Sequence, residues 1–497
     1  MLENLLLGFD VALSLKNLAF AFLGALIGTA IGVLPGLGPT ATISLLLPLT
    51  FGQEPVTAII MLAGIYYGSQ YGGSTTAILL NLPGEISGVV SAIEGYQMAQ
   101  QGRGGAALAT AALGSFFAGT VATFVVAASG PLLTQVALSF GPADYFALMA
   151  LGLIVASVLA QGGVVKAVAM VVLGVSLGLV GTDVQTGQQR FTFGIPELSD
   201  GINFVALAMG LFGVAEIMLN LERPEIRSGR VAKRGPLWLS REEWRYAIPA
   251  AIRGTVLGTT LGVLPGGGAT LSSFGSYMLE RKLTRRPERF GKGAIEGLAG
   301  PESANNAGAQ TAFIPLLTLG IPSNSVMALM VGALIIQGIQ PGPRMVTAQP
   351  ELFWGLICSM WIGNLMLLVI NLPLVGIWVQ LLKVPYKFLY PAILVFCCIG
   401  AYSINNNVFD VYIMMVFALV GYVFSKIKME PAPLLLGFVL GPMMEEHLRR
   451  AMLLSRGDPS VFVERPISAS LLGIAAIMLA LMLLPALRRR KEAAMRE

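Results

Sequence analysis

The chain has 497 residues, of which 55% are hydrophobic and only 12% are charged, about half the charged fraction of a soluble domain. So few charges cannot cover the surface of a soluble protein of this size, which excludes a soluble multidomain protein. One histidine (His447) and three cysteines in apolar stretches exclude a HExxH protease, a multi-histidine metal site and a disulfide framework. The net charge of +5 is too scattered for nucleic-acid binding. The composition predicts an all-α polytopic membrane protein.

Apolar segments recur from end to end, and we predict about twelve transmembrane elements plus half-helices. Several segments are shorter than the ~20 residues that a helix needs to cross a bilayer, and these lie around glycine-proline motifs. The segments are predicted at 17–34, 39–51, 55–69, 71–83, 105–138, 143–160, 164–181, 202–220, 246–264, 268–279, 310–322, 325–340, 353–382, 386–403, 408–425, 431–444 and 467–487.

The segments divide the chain into five predicted parts. These are an entry segment at 1–16, a first membrane repeat at 17–220, a basic cytoplasmic linker at 221–245, a second membrane repeat at 246–465, and a final span with a basic cytoplasmic tail at 466–497. The linker, a second basic stretch at 281–292 and the tail are assigned to the cytoplasm by the positive-inside rule. The loop 182–201 is more acidic than basic and is predicted outside, so Lys166 lies in an inner turn.

This topology fixes the relative orientation of several elements. The stretch 246–279 begins and ends inside, so it is a hairpin with its Pro-Gly break near the tip. The long spans 105–138 and 353–382 run in opposite directions. We therefore predict two inverted repeats, and two equally oriented copies are the alternative if one short span is miscounted.

An internal repeat supports this division. Residues 28–40 read GTAIGVLPGLGPT and residues 258–270 read GTTLGVLPGGGAT, so nine of thirteen positions are identical at an offset of 230. In each copy, glycines spaced by four form a stripe on one helix face, which allows close approach between membrane helices. The stripes are Gly24, Gly28, Gly32 and Gly36, and Gly254, Gly258, Gly262 and Gly266.

Each stripe ends at a helix break. The chain after Pro35 and after Pro265 cannot continue as regular helix, because proline removes a donor and glycine permits positive φ. Such a break at membrane depth is tolerated only where it is buried in protein or lines a watery cavity. The helices that begin near Thr40 and Thr270 turn free N–H groups and positive dipole ends toward that cavity, which suits a carboxylate. Paired broken helices in two repeats indicate a transporter binding site.

A second pair of motifs, at 66–76 and 301–310, is rich in hydroxyls, amides and glycine. Lone hydroxyls in membrane helices usually bond back to the preceding turn, but this density favours a cavity lining. We interpret Glu302 as a solvated loop residue rather than a ligand of a coupling cation. Asn364 and Asn371 are interpreted as an interhelical contact.

Four long motifs resemble the large membrane subunit of the tripartite tricarboxylate transporter family. They read GTAIGVLPGLGPTATISLLLPLTF, YYGSQYGGSTTAILLNLPGE, GVLPGGGAT and GLAGPESANNAGAQTAFIPLLTLGIPSNSVMALMVGAL. The resemblance implies a multi-pass subunit of the bacterial inner membrane that partners a small membrane subunit and a periplasmic binding protein. It also implies cation-coupled uptake of carboxylates such as citrate, with the binding protein largely setting the substrate.

The leading hypothesis is a secondary transporter, a symporter, that holds an organic anion between the tips of the two broken hairpins. Backbone N–H groups and hydroxyls would bind the anion, and the predicted binding residues are Pro35, Gly36, Gly38, Thr40, Ser74, Thr75, Thr76, Pro265, Gly266, Gly268, Thr270 and Ser323. Ligands for a coupling cation, Na⁺ or H⁺, are predicted at Asn305, Asn306 and Asn324, and no other cofactor is expected. These motifs contain no lysine or arginine, so co-bound cations would offset the charge of the anion.

Two alternatives from other classes stay open at this stage. An intramembrane enzyme would need a nucleophile with a base, or a metal cluster, and the sequence offers neither. A passive anion channel could also be built from broken helices, and saturable uptake that requires the binding protein would distinguish a carrier from it.

Overall fold

The computed structural model describes residues 2–160, 163–183, 185–222, 235–264, 268–381 and 386–483. Within these residues the chain forms 23 α-helices and a two-stranded antiparallel sheet. The helices are α1 (Leu2–Leu13), α2 (Leu15–Gly32), α3 (Pro39–Leu46), α4 (Pro55–Leu80), α5 (Val89–Met98), α6 (Gly104–Leu138), α7 (Pro142–Leu159), α8 (Val164–Gly178), α9 (Phe204–Ala208), α10 (Ala215–Leu221), α11 (Arg241–Leu261), α12 (Gly268–Leu283), α13 (Glu296–Thr311), α14 (Phe313–Leu319), α15 (Ser325–Ile336), α16 (Pro343–Ala348), α17 (Pro350–Asn371), α18 (Val375–Leu381), α19 (Tyr386–Asn405), α20 (Val408–Lys426), α21 (Ala432–Leu454), α22 (Val461–Glu464) and α23 (Pro466–Leu483). The strands are β1 (Gly181–Thr182) and β2 (Gln189–Arg190).

Short non-α turns join several of these helices. They are 3₁₀ turns at Leu47–Thr50, Ile86–Gly88, Pro196–Leu198 and Pro287–Arg289, and π turns at Ala99–Arg103 and Met209–Val214. Part of the predicted basic linker and the tail after residue 483 lie outside the described residues.

Five helical stretches in the described part of the chain are long and apolar enough to cross a membrane. They are Leu15–Gly32, Ile86–Leu138, Phe204–Leu221, Pro350–Asn371 and Val408–Lys426. Shorter apolar helices accompany them, at Pro39–Thr50, Pro142–Val158, Val164–Gly178, Ser325–Ile336, Leu389–Asn405 and Pro466–Ala480. The predicted all-α multi-pass membrane protein is confirmed, whereas the inverted orientation and the number of elements stay predictions.

The first glycine stripe packs α2 directly onto the backbone of α4. A Cβ atom added at Gly28 would lie 2.7 Å from Cα of Ile65, and one at Gly32 would lie 2.5 Å from the carbonyl oxygen of Ser69. The contact is reciprocal, because a Cβ atom at Gly68 of α4 would meet the backbone of α2 at 2.5 Å. Real side chains essentially never approach so closely, so only glycine fits at these positions.

The second stripe repeats this contact between α11 and α13. A Cβ atom added at Gly258 would lie 2.8 Å from Cα of Ala304, and one at Gly262 would lie 2.5 Å from Cα of Gly308. Helix α12 then turns back along α11, and Arg253 of α11 donates two hydrogen bonds, of 2.8 and 2.6 Å, to the buried carboxylate of Glu280 of α12. The predicted hairpin over 246–279 therefore joins α11 to α12.

Four predicted segments differ from the observed helices. The segments 55–69 and 71–83 are one helix, α4, of 26 residues, because its glycines serve close packing against α2 and do not break the helix. The segment 310–322 is preceded by a full helix, α13, which begins at Glu296. The segment 353–382 is interrupted between α17 and α18, at a Pro373 that has no backbone donor. Lys166 is exposed as expected, but it lies in the first turn of α8.

Candidate functional site

The break after α2 forms a tight turn that leads into α3. Gly36 has a φ of +83°, which L side chains rarely adopt, and the side-chain amide of Asn220 donates to its carbonyl oxygen at 3.5 Å. Gly38 is the extended residue before α3, and Pro39 opens the helix, where the missing N–H of proline costs nothing. Gly38, Thr40 and the half-exposed Gly36 face the same cavity. Pro35 lies in the turn but does not line that cavity.

The second copy of the glycine-proline motif lines the same cavity. Pro265 and Gly266 lie outside the described residues, but Gly268 is the first residue of α12. Gly268, Ala269 and Thr270 line the cavity together with the start of α3. The structure therefore brings together the described parts of the two motifs, which are 230 residues apart in sequence.

The start of a third helix, α15, lines the cavity beside the starts of α3 and α12. Asn324 caps α15, and its side-chain oxygen accepts a 2.9 Å hydrogen bond from the backbone N–H of Met327. The hydroxyl groups of Thr40 and of Ser325, at the first position of α15, lie 2.9 Å apart. This contact joins the first turns of α3 and α15.

These elements enclose a cavity of about 370 Å³. The N-termini of four helices line it, those of α3, α12, α15 and α21, the last through the segment Glu430–Pro433. Helix N-termini present unpaired N–H groups and positive dipole ends, which together favour a bound anion. The sequence predicts a segment that begins at residue 431 but does not assign its start to the binding site, although the Pro431-Ala432-Pro433 run carries the signal of proline in a first helical turn.

The side chains that line this cavity add negative rather than positive charge. Three glutamates, Glu85, Glu216 and Glu430, are among its lining residues, together with Tyr66 and Gln70. No lysine or arginine is among its described lining residues. Backbone N–H groups are thus the main source of positive potential, and a multiply charged anion needs further compensation.

Residues 18–436 match the model of the tripartite tricarboxylate transporter TctA family. The chain belongs to this family. Membership makes it the large membrane subunit of a tripartite tricarboxylate transporter, whose tripartite organisation implies a small membrane subunit and a periplasmic binding protein. The resemblance stated from the motifs is confirmed.

Two relatives of this TctA subunit come from Agrobacterium vitis. One is described as an uncharacterized 52.8 kDa protein in the 3′ region of ttuC′ in TAR-I, and is 60% identical over 492 residues, covering 99% of this chain and 98% of the relative. The other, an uncharacterized protein in the 3′ region of ttuC′ in TAR-II, is 63% identical over 235 residues, covering 47% of this chain and 97% of the relative. No solved structure matches the chain.

Ser74, Thr75 and Thr76 of this TctA subunit are not among the residues that line the 370 Å³ cavity. Thr75 and Thr76 are buried in α4 and donate hydrogen bonds to backbone carbonyls of their own helix. Ser74 does the same and also donates a 3.0 Å hydrogen bond to Glu302. Ser323 is likewise buried and bonds to the carbonyl oxygen of Ala312 at 3.3 Å.

Among the predicted cation ligands, only Asn324 lines the cavity. Asn305 is buried behind it, and its amide nitrogen donates to Gln70 at 2.9 Å and to Glu85 at 3.3 Å. Asn306 instead bonds to Ser115 of α6 at 2.7 Å. No cluster of three or more His, Cys, Asp or Glu side chains that could hold a metal ion occurs within the described residues.

Glu302 is the clearest correction to the sequence analysis. It was interpreted as a solvated loop residue, but it is fully buried in the middle of α13. The long polar run around it forms a helix because every residue of α13 is enclosed by neighbouring helices, where a backbone without internal hydrogen bonds would be costly.

The interhelical contact predicted for Asn364 and Asn371 is confirmed for the first residue only. Asn364 accepts a 3.0 Å hydrogen bond from Tyr71 of α4 and donates a 2.8 Å bond to the carbonyl oxygen of Phe116 of α6. The amide nitrogen of Asn371 bonds within its own helix, to Leu367.

Proposed function

We propose that this TctA subunit performs cation-coupled uptake of a di- or tricarboxylate, such as citrate, or of a related organic anion across the bacterial inner membrane. The substrate binds in the 370 Å³ cavity between the N-termini of α3, α12, α15 and α21. The observation that carries the proposal is the convergence of these four helix starts on one cavity. Helix starts present positive dipole ends and N–H groups without intrahelical partners, which recognise carboxylate oxygens without a basic side chain, although Pro39, Pro431 and Pro433 contribute no N–H.

In this proposal the two motif copies hold opposite ends of the substrate. The backbone around Gly36 and Gly38, with the hydroxyl of Thr40, binds one carboxylate. Gly268 and Thr270 bind another, and Asn324 and Ser325 lie between them. Four predicted binding residues support the cavity wall and do not contact the substrate, because their hydroxyls form hydrogen bonds within the protein. These are Ser74, Thr75, Thr76 and Ser323.

The charge balance of the cavity supports symport. The described lining residues include no lysine or arginine, so a multiply charged anion meets no basic side chain that would offset its charge in a medium of low dielectric constant. One or more cations that enter with the substrate would offset this charge. The coupling cation is Na⁺ or H⁺, which would give secondary active transport without ATP hydrolysis.

The test is uptake of radiolabelled citrate, tartrate and succinate into proteoliposomes that contain this subunit, its small membrane subunit and its binding protein. We expect saturable accumulation that requires the binding protein and an inward Na⁺ or proton gradient. Accumulation without either gradient would contradict symport, and non-saturable flux without the binding protein would indicate a channel.

A substitution in the cavity wall tests the site itself. A Cβ atom at Gly38 would lie 2.5 Å from the carbonyl oxygen of Gly84, so Gly38→Val narrows the cavity and should reduce uptake more than about tenfold. Gly473→Val in α23 is the matched control, because nothing lies within 4 Å of a Cβ atom there. Wild-type uptake by Gly38→Val at equal protein levels would remove this cavity from the pathway.

A further inference from the structure

Helix α13 contains a buried carboxylate with an unsatisfied oxygen. Glu302 is 0% exposed, and its Oε2 accepts a 3.0 Å hydrogen bond from Ser74 of α4. Its Oε1 is buried and accepts no hydrogen bond of good geometry, although the hydroxyls of Ser91 and Ser115 lie beside the carboxyl group. A buried charge is costly unless it is paired or fully hydrogen-bonded, so this oxygen requires an explanation.

A second unsatisfied oxygen lies one turn further along the same helix. Asn305 is 2% exposed, and its amide nitrogen donates to Gln70 and to Glu85. Both partners face the amide through oxygen atoms, which places the amide nitrogen on their side. The amide oxygen of Asn305 is left buried without a partner.

The two oxygens belong to residues three apart, which share one face of an α-helix. This face meets Gln70 and Ser74, which are four apart on α4 and therefore also share a face. The site thus lies between α13 and α4. Glycine contacts with α11 and α2 hold these two helices in place. Hard oxygen ligands from a carboxylate and an amide are those that bind protons and alkali or alkaline-earth cations.

Within the described part of the chain, no basic side chain forms an ion pair with the carboxyl group of Glu302. The ion pairs among the described residues include neither Glu302 nor Glu85. The titratable groups that interact electrostatically with Glu302 are Glu85 and Tyr71, and neither supplies positive charge.

Several charged groups on the other helices packed on α13 have partners of their own. Glu94 of α5 accepts hydrogen bonds from Tyr277 and from the backbone N–H groups of Gly293 and Ala294. Arg253 of α11 and Glu280 of α12 pair with each other. The described part of α6 contains no ionisable side chain.

We propose that Glu302 and Asn305 form a binding site for a single monovalent cation, a proton or Na⁺, between α13 and α4. The inference rests on the proposed function, in which this site is the coupling site. The hydrogen bond from Asn305 to Glu85 connects it to the substrate cavity, because Glu85 lines that cavity. Cation binding therefore orients Asn305, which in turn sets the position of Glu85 beside the substrate.

The experiment measures cation binding without any carboxylate substrate. The purified full-length subunit is heated in detergent at pH 7.5, with NaCl replaced stepwise by choline chloride at constant ionic strength, and the melting temperature is recorded. A parallel series without Na⁺ varies the pH between about 5 and 9. A Na⁺ site gives a saturable stabilisation by Na⁺ over choline, and a proton site gives stabilisation toward low pH.

The decisive variant is Glu302→Gln, which keeps the shape and removes the charge. We expect it to fold, to need at least about tenfold more Na⁺ for half-maximal stabilisation, or to lose the pH dependence if the ligand is a proton. Asn305→Leu should weaken the same response. Glu54→Gln is the control, because Glu54 is exposed on the surface, and it should respond like the wild type.

An unchanged Na⁺ and pH response in Glu302→Gln, or no response in the wild type, overturns the site. If Glu302→Gln does not fold, Asn305→Leu provides the same comparison. Gradient-driven citrate uptake by the wild-type subunit is measured separately. Uptake with an unaltered cation response in both variants would contradict this site alone, whereas absence of uptake in the presence of cation binding would contradict the proposed function alone.

Discussion

The two regions that carry the glycine stripes, α2–α4 and α11–α13, use the same packing for different purposes. In both, glycines spaced by four bring a helix onto the backbone of the helix after next. The partner helix α4 is rich in aromatic residues, whereas α13 carries Glu302, Asn305 and Asn306 in an entirely buried helix. Because the paired helices contact each other through backbone atoms, their other faces can carry different side chains. The two copies could therefore diverge in chemistry and keep the same helix packing.

The hairpin after each stripe shows the same divergence. In the second copy, Arg253 and the buried Glu280 tie α11 to α12. At the offset of 230, the first copy has Leu23 and Thr50 at these positions, and α3 is only 8 residues long. The first copy therefore depends on apolar packing, and the second on a buried ion pair.

The largest expected effect comes from enlarging the central glycine of each stripe, which tests the helix packing that the two copies share. Gly28→Val and Gly258→Val each force a side chain into the backbone of the facing helix, and we expect each to destabilise the protein by about 3 kcal/mol or more. Thermal unfolding in detergent measures the loss, with Gly473→Val as control. A well-tolerated valine in one copy would show that the two contacts are not equivalent.

The ion pair between Arg253 and Glu280 occurs in the second copy and has no equivalent at the matching positions of the first. Arg253→Met leaves the carboxylate of Glu280 buried and unpaired, which should cost about 2–3 kcal/mol, measured by the same unfolding assay. Lys282→Met, an exposed basic residue of α12, is the matched control and should change little. If Arg253→Met matches the control, the hairpin of the second copy does not rely on this pair.

A smaller effect is expected for the hydroxyls at the helix starts. Thr40→Val removes the 2.9 Å contact with Ser325, a loss of about 1 kcal/mol that corresponds to roughly a fivefold decrease in uptake at low substrate concentration. Thr270→Val tests the equivalent position of the second copy. Equal uptake by Thr40→Val and the wild type would mean that this contact does not shape the substrate site.

The smallest effect concerns the polar loop between the two regions. Asp183 accepts hydrogen bonds from the backbone of Gln185 and from Arg449, and these bonds hold the pKa of its carboxyl well below its usual value. Because the folded-state pKa is lowered, the stabilisation is present above about pH 4 and is lost as the pH falls further. We expect the melting temperature of the wild type to fall more steeply below about pH 4 than that of Asp183→Asn. Parallel curves would contradict the assigned pKa shift, and citrate uptake at neutral pH should differ little between the two proteins.

Several local features were predictable because they depend on near neighbours in sequence. Gly36 and Gly38 beside Pro35 require a helix break, and that break is observed as a positive φ at Gly36 before a new helix. The continuity of α4 was not predictable in this way, because a glycine that packs and a glycine that breaks have the same local signature. The facing helix decides between them.

The sequence by itself determined the class of the protein, the two glycine stripes and the starts of α3 and α12, because hydropathy, glycine spacing and proline act locally. Tertiary structure alone decided that α15 and α21 also begin at the cavity, since no local signal tells which helix ends meet. It also decided that Glu302 is buried. A polar run in a sequence indicates a loop, and only the helices that enclose it make it a buried helix. The burial of Glu302 depends on residues as distant in sequence as Ser74.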